Sequence, residues 1–143
     1  MNSRELKQRL TEEGCNPDSY SIGHGGSDCY CLCHEQGAWR IFYTERGQDS
    51  PPILETTSEE KACEFFFQQI MRIRHDHCVG FFRSEGNADS LLQKLAEHGL
   101  QPWQDEIPYG GIDDPRFRVF VTGKAIFKAK DLLGRVPQRD CEL

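Results

Sequence analysis

Three cysteines alternate with single residues in Cys29-x-Cys31-x-Cys33, and His34 follows at once. Thiolate and imidazole together suit zinc, and His75-Asp-His77-Cys78 offers more ligands of the same kind. The spacing argues against one metal site. Same-face sulfurs on a strand stand about 6.5–7 Å apart, wider than one tetrahedral ion accepts, whereas structural zinc ligands come in close pairs at turns. The alternative is a buried strand that uses cysteine as a small apolar residue. Cys29 with His24, or Cys78 with His75, would set a thiol beside a base, but nothing in the sequence adds an orienting acid. The first expectation is therefore no metal, no cofactor and no catalytic residue. A zinc- or thiol-dependent module on Cys29, Cys31, Cys33, His75 and His77 is the second.

A different chemistry is concentrated in Trp103-Gln-Asp105-Glu106-Ile-Pro-Tyr109-Gly-Gly-Ile-Asp113-Asp114. Two aromatic residues and four acids share a dozen positions with Gly and Pro. Aromatic anchors ringed by acids suit a basic protein partner. The competing reading puts Trp103 and Tyr109 in the core and leaves the acids as solvated loop residues. A second acidic stretch, Glu45 to Glu64, holds six acids against two bases and contributes Glu45, Asp49 and Glu55 as candidate contacts. His24-Gly25-Gly26 resembles an anion nest, but it lacks the spacing of a phosphate loop and no Lys follows.

The charge is uneven. The chain of 143 residues carries a net −6, with −5 between Asp89 and Asp114 and +6 between Arg116 and Arg139. An acidic body repels a phosphate backbone and steers basic partners toward itself. The basic end holds Lys124, Lys128, Lys130 and Arg135; bases toward a helix C-terminus are expected from the dipole alone, and no base-stacking motif accompanies them. Direct nucleic-acid binding is not expected. No apolar run reaches the length of a membrane span, and no export signal is visible, so a cytoplasmic chain with free thiols is expected. Seven cysteines cannot all pair internally.

These residues need elements to position them. Helices are expected from Ser3 to Gly14, from Ser58 to about Arg74, from Asn87 to His98 and from Ala125 to Leu133. In the second, Ala62, Phe65, Phe66, Gln69, Ile70 and Ile73 recur at the helical period. Cys29 to His34 and Trp39 to Thr44 read as a hairpin about Gln36-Gly37, and Phe117 to Val121 as a further strand. Tyr20 to Ile22 and Glu106-Ile107 read as extended, and Cys78 to Phe82 fits no single pattern.

At an offset of 85 the chain matches itself in ten of the 23 positions from Leu6 to Asp28. The matches include Gly14 with Gly99 and Gly25-Gly26 with Gly110-Gly111. This predicts an α+β fold in one domain over residues 1–143: an antiparallel sheet with helices packed on it, built by duplication of a helix–strand–strand–helix unit. The pseudo-repeats would span about 3–76 and 87–134, and the tail 135–143 would fray.

Cys29-Tyr-Cys-Leu, Trp39-Arg-Ile-Phe-Tyr-Thr-Glu-Arg-Gly47, Ser58-Glu-Glu-Lys-Ala-Cys-Glu-Phe-Phe-Phe67 and Asp114-Pro-Arg-Phe117 together resemble small bacterial immunity proteins of polymorphic-toxin systems, including contact-dependent growth inhibition. The resemblance covers most of the chain, and its motifs are structural. It implies a cytoplasmic protein without enzymatic activity that binds one cognate toxin domain and covers its active site. Toxins of this class are often nucleases with basic clefts, which an acidic inhibitor would complement. The resemblance assigns no contact residues, so Trp103, Asp105, Glu106, Tyr109, Asp113, Asp114, Glu45, Asp49 and Glu55 rest on charge and aromatic placement alone.

Overall fold

Asn2 opens the first helix by accepting the Glu5 amide on its side chain, as an N-cap should. The computed structural model in which this is seen describes residues 1–140. They are α+β in class and fall into two compact units, Met1–Arg74 and His75 onward, each with its own apolar core.

The first unit runs α1 (Ser3–Glu12), a single 3₁₀ turn (Pro17–Ser19), β1 (Tyr20–Ile22), β2 (Cys29–Glu35), β3 (Ala38–Glu45), β4 (Gln48–Asp49), β5 (Leu54–Thr56) and α2 (Glu59–Met71). Ser3 is the first residue of α1 rather than its cap, and Gly14 ends the helix at φ +72°. Gln36 and Gly37, both left-handed, close the expected β2–β3 hairpin. Arg46-Gly47 closes a second one, β3–β4, in the same way.

The expected wholly antiparallel sheet is corrected here. β1 pairs with β2 in parallel, Tyr20 opposite Tyr30, so this five-stranded sheet is mixed. Both helices pack on one of its faces, where Leu6, Leu10, Leu32, Ile41, Ala62, Cys63, Phe66 and Ile70 form the core. The apolar stripe of α2 lies partly off the expected line. Cys63 and Phe67 are buried, while Phe65 is 38% exposed.

The second unit runs β6 (Asp76–Phe82), α3 (Glu85–Glu97), β7 (Trp103–Ile107), β8 (Arg116–Thr122) and α4 (Ala125–Leu133). Its sheet is antiparallel in the order β6-β8-β7. The stretch around Cys78 is an edge strand with a register shift between Cys78 and Gly80, and that irregularity hid its period. Ser84 caps α3 through the Asn87 amide, so the helix starts two residues before the expected Asn87. Val79, Phe82, Val119 and Val121 meet Ala88, Leu91, Leu95, Ile126 and Ala129, which puts both helices on one face.

Residues 135–140 of the tail expected to fray are tied down. The Gln138 amide donates to Val79 O at 2.9 Å, and Gln138 O accepts the Phe81 amide at 2.8 Å. Asp140 accepts from the Arg83 amide at 2.6 Å and from the Asn87 side chain at 3.0 Å. Residues 141–143, the remainder of that tail, lie outside the described residues.

Five strands separate the two helices of the first unit, whereas two separate those of the second and β6 precedes them, so the expected duplication of a helix–strand–strand–helix unit is not confirmed, and the pairing differs too. β1 reaches β3 through the intervening β2, whereas β7 lies directly against β8. The two glycine pairs also do different jobs. A side chain at Gly26 would run into Cys29 and Ser21, while its counterpart Gly111 has open space and φ +105°.

Candidate functional site

Pairing register decides what each acidic and aromatic residue of the second unit does. Trp103 stands opposite Phe120 and Asp105 opposite Arg118, on the sheet face turned away from α3 and α4. Trp103 and Phe120 stack with centroids 4.3 Å apart and planes 12° from parallel. The Arg118 guanidinium lies 4.9 Å from the Phe120 centroid on that row. Arg118 also forks onto Asp105, with Nε donating to Oδ1 at 2.8 Å and Nη2 to Oδ2 at 2.5 Å. That carboxylate pushes the guanidinium still further up from its ordinary pKa, against a smaller downward pull from burial. Trp103 Nε1 donates to Asp76 Oδ1 at 3.3 Å, and Thr122 donates to the same oxygen at 2.6 Å. Trp103 and Asp105 are therefore committed to the sheet. One face of the Trp103 ring stacks on Phe120, and both Asp105 oxygens accept from Arg118.

The loop from Pro108 to Pro115 is built differently. The Gly110 amide donates to Asp114 O at 2.9 Å, the Gly111 amide to Pro108 O at 3.2 Å and the Asp114 amide to Gly111 O at 3.1 Å. Beneath them Arg116, 8% exposed, donates through Nη1 to Asp114 O at 3.1 Å, Asp114 Oδ1 at 2.9 Å and Pro115 O at 3.1 Å. Its guanidinium lies 4.9 Å from the Tyr109 centroid, and Tyr109 meets Phe81 edge-on at 5.2 Å. What the loop leaves outside is apolar. Tyr109 is 65% exposed and Ile112 88%, with Glu106 and Asp113 exposed nearby.

Of the expected contacts, then, Glu106, Tyr109 and Asp113 face solvent, Asp114 is half-buried and paired, and Trp103 and Asp105 serve the sheet. Sequence reading passed over Ile112 and Arg116. The available signal for Ile112 was a large aliphatic residue between Gly-Gly and Asp-Asp, outside any helix or strand pattern. Glu45, Asp49 and Glu55 belong to the first unit. Glu45 and Asp49 are exposed on the β3–β4 hairpin, and Glu55 lies 3.5 Å from Arg40 Nε.

Period 2 does put Cys29, Cys31 and Cys33 on one face, packed with Phe42 and away from the helices. All three are buried. Burial pushes the Cys31 thiol up to about 11, and raises Cys33 too, with Glu35 and Asp49 adding to the effect. Burial likewise raises Cys78, outweighing a backbone hydrogen bond at Gly80 and the nearby Arg118 and Arg139. A thiol that stays protonated at neutral pH is a poor nucleophile. Among the described residues no three His, Cys, Asp or Glu side chains converge in a metal-binding group. His75 is buried at the start of the second unit, and its carbonyl accepts the Gly123 amide at 2.8 Å.

Comparison with protein-family models, with curated proteins and with solved structures finds no match to this chain. Among the described residues no helix is long and apolar enough to cross a membrane.

Proposed function

We propose that the chain is an immunity-type inhibitor: a cytoplasmic protein that binds one toxin domain, a basic nuclease, and blocks its active site. The observation that carries this reading is the Pro108–Pro115 loop. Two large apolar side chains, Tyr109 and Ile112, stand in water on a hydrogen-bonded loop, with exposed acids beside them. Tyr109 and Ile112 lie three residues apart on that braced loop, and aromatic anchors that become buried contribute much of the binding energy at protein interfaces. The acids favour a partner rimmed by Lys and Arg and would speed its approach. The motifs quoted for the resemblance supply the class of partner.

The test uses the polypeptide encoded immediately upstream of this chain. Its C-terminal domain should be toxic when expressed alone and harmless when co-expressed with this chain. Tyr109→Ala with Ile112→Ala should abolish protection. Glu106→Lys with Asp113→Lys should slow association and weaken its dependence on salt. Full protection by both double variants would remove this loop from the interface, and a harmless upstream domain would sink the reading itself.

A further inference from the structure

We infer that Arg116 is the positioning residue of this surface, holding the Pro108–Pro115 loop in its binding shape before any partner arrives. The inference deepens the reading above and rests on it.

Arginine is seldom buried, and Arg116 is 8% exposed. Its placement is explained by the loop rather than by the sheet core. Nη1 donates to two backbone oxygens and one carboxylate oxygen, all within Asp114-Pro115. Those residues in turn hold the opposite side of the loop, because Asp114 O accepts the Gly110 amide. Packing there is tight: a Cβ on Gly110 would overlap the Asp114 carboxyl group. The guanidinium plane also reaches the Tyr109 ring, so one buried cation fixes both the closing backbone and the aromatic anchor.

The advantage is entropic. An unbraced loop of eight residues would lose its freedom on binding, and that loss would be subtracted from affinity. With Arg116 in place the loss is taken at folding, and Tyr109 and Ile112 reach the partner already oriented.

The test compares the full chain with Arg116→Met, Arg116→Lys and Asp114→Ala. The last removes a half-exposed carboxylate and guards against misfolding of the buried variants. Hydrogen exchange is read at the amides of Gly110, Gly111 and Asp114 against those of Val119 and Val121, and association with the upstream polypeptide is measured in parallel. Arg116→Met should speed exchange at the three loop amides about tenfold or more and leave the strand amides unchanged. Affinity should fall about tenfold, with a more unfavourable binding entropy. Arg116→Lys should recover part of both losses, and Asp114→Ala should show the same pattern more weakly. Equal loop exchange in wild type and in Arg116→Met would overturn the inference, as would a loosened loop with unchanged affinity. Failure of the wild type to bind the upstream polypeptide would refute the immunity reading, while exchange alone would still decide whether Arg116 holds the loop.

Discussion

Arg118 and Asp105 meet across β8 and β7 through two parallel hydrogen bonds, the paired geometry that guanidinium and carboxylate favour. The pair is about one-third exposed on each side, so solvent screens it. Asp105→Ala should lower stability by about 1 kcal/mol, read as a lower urea midpoint, because it strands Arg118 beside Phe120. Glu106→Ala, one residue on and exposed, should leave the midpoint within about 0.5 kcal/mol of wild type. Charge reversal at Asp105 would therefore report on the sheet, and interface tests belong on Glu106 and Asp113.

Two glycines of the second unit should respond oppositely to the same change. A Cβ on Gly80 would lie 2.6 Å from Phe82 Cε2 and 2.7 Å from Leu91 Cδ2, inside the core. Gly80→Ala should cost about 1–3 kcal/mol. Gly86 lies in the first turn of α3, where the nearest atom to a new Cβ is Ser84 Oγ at 3.6 Å. Gly86→Ala should stabilise by about 0.5–1 kcal/mol, since it restricts the unfolded chain without a clash. Thermal melts of the two variants should move in opposite directions.

The α+β class and all four helices were legible because helix periods and caps are local signals. Ser58 and Ser84 cap as their chemistry dictates, and Ser84 sets the start of α3 two residues ahead of the expected Asn87. β5, only three residues long and beginning two after Pro52, is too short to carry a period. The parallel β1–β2 pair and the division into two cores depend on which distant strands meet, which no single stretch encodes. The same limit applied at the site. Trp103, Asp105 and Tyr109 are all expected contacts, and only register separates the two that face Phe120 and Arg118 from the one that is exposed.

Alkali should destabilise the protein before it ionises the native thiols. Burial raises Cys31 and Cys63 from an ordinary 9.0 to about 11. Between those values the unfolded chain loses protons that the folded chain keeps, so stability falls as pH rises. The contribution is fully present below pH 9 and lost as pH climbs through 11. Urea midpoints taken from pH 8 upward should therefore decline, and Cys63→Ala should flatten the decline despite its own cavity cost. A thiol reagent added at pH 8 to the native protein should label Cys31 and Cys63 far more slowly than the urea-unfolded chain.

Acid should act in the second unit, at Asp140. Burial pushes Asp140 up, but hydrogen bonds from the Arg83 amide, the Asn87 side chain and the Ser84 amide outweigh it and hold the carboxyl below its ordinary value. A lowered folded pKa means that its contribution is present above the unfolded value and lost as pH falls through the folded one. Asp140→Ala should cost about 0.5–1 kcal/mol at pH 7 and nothing measurable well below pH 3. It should also speed amide exchange at Arg83 and Ser84.

Asp140 closes the N-terminal end of α3 from more than fifty residues downstream. On the ribosome, α3 and its capping Ser84 are made long before that carboxylate exists. The amide of Arg83 must wait, solvated, until residue 140 has left the exit tunnel. The strands and helices of the first unit are all encoded before Arg74. Synthesis therefore delivers the two cores in order, with the half that bears Tyr109 and Ile112 finished last.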